Sequence, residues 1–401
     1  MVSPLANEGT DMIKLNRLFY TTTDDKVFLD RIAPTQEQTD VLVDAKNAIR
    51  DHLRPRIREA TTRILGMDKA VTPRFRTQGS WSYKTCIQPA CHPPQEMDWD
   101  FGVYLPVTVW EDSGPPHNMA RLYFEMVERL LHDLCKEKGW ALDYGKDTCI
   151  RVQINSWAHI DIPLYAAPEN QFIQIMEKAA LSSVLVQDSR DAFVENYADT
   201  DFTQQQWEDM VDIVMATRAG EWKLSDPEEI TRWFLDRVLE HKEQLRRVCR
   251  YLKAWRDHQW KDGGGPTSVC LMVAVAQAFE AHPGRDDIAL EKAARKLATD
   301  LRGEVREPAI AEGTEDFNKR LDKLAREAAA QRAAALAEGL RSARLQAPHQ
   351  SALAIILLQG QLGERVPNRV DLVQPDSGEE AIRLMAAERV SRPVVKPTSA
   401  G

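Results

Sequence analysis

The chain has 401 residues, 43% of them apolar and 28% charged, with a formal net charge of −9. This is the composition of a globular protein long enough for two domains or subdomains, and no apolar run reaches the ~20 residues needed to cross a bilayer as a helix. The acidic balance argues against long DNA or RNA as the main ligand, because phosphate contacts dominate sequence-independent binding and need a basic surface; nucleotides, which need only a local basic pocket, stay open.

Residues 1–35 show no clear period, and Met1 to Lys14 lacks a basic-then-apolar leader pattern, so a cytoplasmic location is expected. A helix is expected from Thr35, where Leu42, Ala45, Ile49, Ile57, Ala60 and Ile64 recur at mostly three- and four-residue spacings. Pro55 should kink it and Gly66 should stop it. Val71 to Thr77 reads as a short strand running into the Gly79-Ser80 turn, and Met97 to Val109 as a strand of mixed aromatic and β-branched residues. A Gly/Pro loop at 112–118 precedes an amphipathic helix, Ala120 to Lys138. Cys149 to Asn155 and Trp157 to Tyr165 read as two more strands around an Asn155-Ser156 turn.

From Phe172 the texture is helical. Ser225-Asp226-Pro227-Glu228-Glu229 has the cap, first-turn proline and early acids of a helix entry. Leu245 to Trp260 is a basic, aromatic helix that ends at the breaker Gly263-Gly264-Gly265-Pro266, and Thr267 to Ala281 is apolar enough to be buried. Residues 283–315 look polar and punctuated, Glu315 to Arg344 looks helical and mostly solvated, and Val390 to Gly401 reads as a flexible tail. The six cysteines form no C-x-x-C pair; Cys86, Cys91 and His92 lie close together, but no second ligand pair follows at finger spacing, so reduced thiols are expected rather than zinc.

Chemistry concentrates in three places. Alternate residues of a strand share a face, so Asp98 and Asp100 point the same way while Met97 and Trp99 point into packing. Two carboxylates so close repel unless a cation sits between them, and hard oxygen donors suit Mg²⁺ or Mn²⁺. Asp161, between Ile160 and Ile162, completes a three-carboxylate site if its strand lies beside the first. Gly79 permits close backbone approach to a phosphate and Ser80 adds a hydroxyl. Lys253 and Ser268 could clamp phosphates from a helical subdomain, Arg151 could reach phosphate or base, and Tyr83 could stack on a base. Each feature alone has a plain reading: a solvated strand face, a simple turn, a surface lysine, a helix cap, a core tyrosine. D-x-D also binds the nucleotide-sugar metal in some glycosyltransferases. The order of strand, Gly-Ser turn, D-x-D strand and later acid is what favours nucleotidyl transfer.

These segments resemble a known family. Thr72-Pro73-Arg74-Phe75-Arg76-Thr77-Gln78-Gly79-Ser80, Gln95-Glu96-Met97-Asp98-Trp99-Asp100 and His159-Ile160-Asp161-Ile162-Pro163-Leu164-Tyr165, with Arg247 to Asp257 and Gly264-Gly265-Pro266-Thr267-Ser268, are similar to the bacterial CD-NTases, the cGAS/DncV-like nucleotidyltransferases, and nearest to the DncV-type dinucleotide cyclases. The resemblance runs from about Thr72 to about Ala276; 283–350 does not align. It implies an α+β fold, a DNA polymerase β-like nucleotidyltransferase core plus a helical C-terminal lobe, with the active site in the cleft between them. The expected division is 1–235 for the core, 236–390 for the helical lobe and 391–401 for the tail. The resemblance further implies that Asp98, Asp100 and Asp161 are catalytic and hold two Mg²⁺ or Mn²⁺ ions, that Gln78, Gly79, Ser80, Lys253 and Ser268 hold the donor triphosphate, that Tyr83 lines the base pocket and that Arg151 sits near the substrates. Such enzymes join ATP and GTP into cyclic GMP-AMP, a second messenger read by a downstream effector in anti-phage (CBASS) signalling. A 3′,3′ linkage is expected; a 2′-linked isomer, cyclic di-AMP or di-GMP, and template-free RNA extension are the alternatives. In some systems of this family E1/E2-like enzymes conjugate the cyclase's C-terminal residue, which makes Gly401 a candidate conjugation site.

Overall fold

The computed structural model describes residues 12–108, 115–175, 202–224, 227–306 and 316–376. The tail with Gly401, the Ser225-Asp226 helix entry and residues 112–114 of the loop expected at 112–118 lie outside them.

The chain opens with β1 (Ile13–Lys14) and two short helices, α1 (Asn16–Phe19) and α2 (Phe28–Ile32). Then comes the long α3 (Gln36–Ile64), which Thr35 and Gln38 cap reciprocally. This helix runs on through Pro55, and Leu42, Ala45, Ile49, Leu53, Ile57 and Ala60 form its buried stripe. Next are β2 (Arg74–Thr77), the single turn α4 (Gly79–Ser82), β3 (Met97–Val107), α5 (His117–Lys138), β4 (Ala141–Asp143), β5 (Ile150–Asn155), β6 (Ala158–Ile162) and β7 (Leu164–Pro168). α6 (Gln204–Glu208) and the strands β8 (Val214–Ala216) and β9 (Trp222–Leu224) follow. The last two stand where a purely helical texture was expected; each is three residues long, too short for a period to register.

Strands β2 to β9 make one eight-stranded mixed sheet, with β3 at its centre. β6 and β7 run parallel to β3 in a single register, Asp100 opposite Asp161 and Val103 opposite Leu164, so they act as one strand interrupted at Pro163. β2 pairs antiparallel with β3. α3 and α5 cover one face, and Met97, Trp99 and Phe101 pack into the core beneath them with Tyr123, Phe124 and Val127. By alternation Asp98 and Asp100 emerge on the other face.

The second half is helical: α7 (Pro227–His241), α8 (Glu243–Gln259), α9 (Ser268–Ala276), α10 (Asp286–Asp300), α11 (Lys323–Arg344) and α12 (Ser351–Leu362), ending in β10 (Gln374–Pro375). α10 occupies a stretch expected to be irregular, and α11, expected to be mostly solvated, is a core helix. Ala329, Ala330, Ala333, Ala337, Leu340 and Ala343 of α11 are buried against α10 and α12. Small side chains let helix axes approach closely, and an alanine stripe buries well without the hydropathy that signals burial in a sequence. At Gly339 an added Cβ would stand 2.8 Å from Gln361 of α12. The N-terminal segment packs here too: Ile13, Leu15, Phe19 and Phe28 share the helical core, and β1 pairs with β10. Among the described residues no helix is long and apolar enough to cross a membrane.

Candidate active site

β3 and β6 place their polar residues side by side. Asp98 is registered with His159 and Asp100 with Asp161, all on the face away from the α3/α5 core. Asp98, His159 and Asp161 each offer a donor atom, and these atoms lie within 4.8 Å of one another. Arg151, from the antiparallel β5, forks onto Asp161 with two 2.6 Å hydrogen bonds. His159 Nδ1 lies 2.6 Å from Glu96 Oε2, and its Nε2 stands 3.1 Å from Asp98 Oδ1.

The turn α4 is fastened over this carboxylate row. Gln78 N–H donates to Asp100 O at 2.9 Å, Trp81 Nε1–H donates to Asp98 O at 3.1 Å, and the Trp81 ring stacks on Trp99 at 4.2 Å. Gly79 has φ +61°, and a Cβ there would fall 2.0 Å from Asp100 Oδ2. Only glycine fits both the backbone conformation and the space. The turn thus brings its backbone against a carboxylate, an approach that a cation between them and a phosphate would stabilise.

The electrostatics fit a cation as well. Burial, then the neighbouring charges of Asp98 and Asp161, push Asp100 well above the usual carboxylate range. Asp98 goes the other way: burial would raise it, but His159, Arg151 and Lys253 outweigh burial and lower it. For His159 the enclosing protein works to lower the pKa, and contact with Asp98 prevails and raises it. The two carboxylates beside Asp100 hinder its ionisation, and a set of oxygen donors suits a divalent cation.

Opposite this row, α8 and α9 close a cavity of about 430 Å³. Gly79, Ser80, Tyr83, Asp98 and Asp100 line it from the sheet side, and Lys253 and Ser268 from the helical side. Lys253 is buried and donates to Thr85 O at 2.9 Å; burial lowers its pKa. Arg256, one turn along α8, donates to Ser268 Oγ at 2.9 Å and forks onto Asp257. Thr267, not Ser268, caps α9, and Ser268 lines the cavity. Tyr83 packs on Phe234, and burial pushes its hydroxyl up to about 12, so it stays neutral.

Two residues expected at the nucleotide are engaged elsewhere. The Gln78 side chain turns into the core, donating to Tyr104 Oη at 2.6 Å and accepting from Tyr165 Oη at 3.3 Å. Arg151 is committed to Asp161 and does not line the cavity. Conversely Glu96, Arg256, Asp257 and Arg320 line the cavity with no role assigned to them from sequence. The period-two pattern Glu96, Asp98, Asp100 already carried the signal for the first of these.

The family profile described as "Cyclic GMP-AMP synthase DncV-like, nucleotidyltransferase domain" matches residues 73–165, and "Cyclic GMP-AMP synthase, C-terminal domain" matches residues 242–375. A cyclic GMP-AMP synthase of Escherichia coli (strain TW11681) is 37% identical over 244 residues, 57% of this chain and 52% of that protein. That of Vibrio cholerae serotype O1 is 38% identical over 239 residues, again 57% and 52%. The chain spans about half the length of these curated relatives. Among solved structures, Vibrio cholerae DncV cyclic AMP-GMP synthase in complex with the linear intermediate 5′ pppA(3′,5′)pG is similar with a TM-score of 0.70 and 24% identity, over 92% of this chain and 100% of that chain. Escherichia coli DncV bound to 3′-deoxy GTP gives 0.67 and 23%, over 90% and 99%. At this identity they establish the fold, an α+β nucleotidyltransferase core with a helical C-terminal region.

Proposed function

This chain belongs to the DncV-like nucleotidyltransferases, and we propose that it joins ATP and GTP into 3′,3′-linked cyclic GMP-AMP by two successive nucleotidyl transfers. The observation that carries the reading is a juxtaposition: the Gly79 turn pressed on Asp100, Asp161 in register beside it, and Lys253 and Ser268 across the same cavity. A core reaching to residue 235 supplies the carboxylates and the Gly79-Ser80 turn, and the lobe from 236 supplies Lys253 and Ser268.

Asp98, Asp100 and Asp161 would hold two Mg²⁺ or Mn²⁺ ions, which when bound supply charge neutralisation at the triphosphate and a more acidic attacking hydroxyl. The backbone at Gly79, the Ser80 and Ser268 hydroxyls and the Lys253 ammonium hold the donor triphosphate. Asp161, oriented by the Arg151 fork, takes the proton of the attacking 3′-hydroxyl. Its oxygen bonds to the α-phosphorus and pyrophosphate leaves. The linear dinucleotide then reverses in the cavity and a second attack closes the ring. The chain contributes chiefly positioning and a preorganised field. Asp98→Ala combined with Asp100→Ala should abolish product while circular dichroism shows the fold intact; metal-dependent turnover surviving in a folded double variant would refute the assignment.

A further inference from the structure

We propose that His159 is a nitrogen ligand to the cation held by Asp98 and Asp161, and that it tilts the site toward Mn²⁺ over Mg²⁺ relative to an all-carboxylate site. The inference rests on the reading of the three aspartates as metal ligands and adds a fourth donor of different chemistry.

The geometry points there in four ways. First, His159 is buried, 5% exposed, on the strand register that faces Asp98. Second, Glu96 Oε2 sits 2.6 Å from Nδ1, which orients the ring and, with a cation at Nε2, would hold the ring proton on Nδ1. A carboxylate behind an imidazole is the arrangement that backs metal-bound histidines, fixing their tautomer and raising their basicity. Third, Nε2 is left aimed into the carboxylate cluster. It lies 3.1 Å from Asp98 Oδ1, an ion-pair contact whose geometry falls short of an aligned hydrogen bond. A plain His–Asp hydrogen bond would align its N–H on the oxygen; two buried atoms in misaligned contact suit a shared third atom. Fourth, adjacent ligands of an octahedral cation with bonds of about 2.1 Å stand about 3 Å apart, the separation seen here.

The consequence is selectivity. Carboxylates alone accept Mg²⁺ and Mn²⁺ alike, whereas an imidazole donor is poorly suited to Mg²⁺ and well suited to the first-row transition ions. Glu96 shares the strand face of Asp98 and Asp100, so the sequence pattern Glu96-Met97-Asp98-Trp99-Asp100 would encode a metal site together with its support.

The test is pulsed electron paramagnetic resonance of Mn²⁺ bound to the full chain with a non-hydrolysable ATP analogue, comparing unlabelled protein with protein carrying ¹⁵N-histidine. The label separates a histidine nitrogen from a purine nitrogen. A manganese–nitrogen coupling that changes from ¹⁴N to ¹⁵N on labelling is expected. In His159→Gln the coupling should vanish and the ratio of Mn²⁺ to Mg²⁺ affinity should fall about tenfold or more. If Mn²⁺ binds, and Asp98→Asn removes it, but no label-dependent coupling is seen in the unmutated protein, His159 is not a ligand while the carboxylate site stands. If no Mn²⁺ binds even with the analogue present, both the inference and the metal reading of the aspartates are overturned.

Discussion

Gly79 is the residue on which the site's geometry turns. Any side chain there meets Asp100 Oδ2 and must also adopt φ +61°, a conformation that costs an L-residue about 1–2 kcal/mol. The displacement matters more than that cost, because moving a reacting group by about 1 Å lowers rate by about 100-fold. Gly79→Ala should therefore lose product formation on the order of 100-fold while its melting temperature falls by only a few degrees; an unchanged rate would place the reaction away from this turn. The carboxylate row was legible in the sequence because alternation along a strand is local. The partners of Gln78 and Arg151 were not. Tyr104, Tyr165 and Asp161 come from other strands, and which residue stands opposite which depends on a register that no local pattern encodes.

At the scale of elements, α3, α5 and α8 show their buried stripes plainly, and α10 and α11 do not, because alanine and charge dominate them. Charges are in fact part of the α10–α11 interface. Arg344 of α11 pairs with Glu291 of α10, both under a tenth exposed, and Arg295 donates to the same carboxylate at 2.6 Å. Burial opposes ionisation of Glu291, but the two arginines prevail and hold its pKa below the usual 4.5. A carboxyl with a lowered folded pKa stabilises the fold fully above its unfolded pKa and loses that contribution as pH falls through the folded value. Urea melts taken at several pH values should show stability declining below about pH 4.5, with the decline shallower in Glu291→Gln. Arg344→Met, which strands the buried carboxylate, should cost about 3 kcal/mol at neutral pH; a neutral effect would mean Arg295 alone satisfies Glu291.

Across the whole molecule, two cores meet at one cavity, and the loop leading into β3 ties them. Arg246 donates to Tyr83 O, Lys253 to Thr85 O and Arg365 to Gln88 O. Gln95 does most: its Oε1 accepts from Ala90 N–H and Cys91 N–H, and its Nε2 donates to Asp257 O and Trp260 O at the end of α8. Gln95 touches no proposed substrate group, yet it sets where Asp98 stands relative to Lys253. Gln95→Ala should cost about 1–3 kcal/mol of stability and lower kcat about tenfold or more, with metal affinity little changed; loss of stability alone would make it a structural tie only. The two-part architecture was legible from the motif order, whereas the return of residues 13–32 to the helical core was not, since nothing local marks β1 as the partner of β10.

The most direct measurement is to incubate the purified protein with radiolabelled ATP and GTP, singly and together, with Mg²⁺ or Mn²⁺, and then treat the products with phosphatase. A phosphatase-resistant product that requires both nucleotides and is fully cleaved by a 3′,5′-specific nuclease is the expected result. A resistant product from one nucleotide alone, or labelled extension of added RNA in its place, would contradict the assignment of this cavity to cyclic GMP-AMP synthesis.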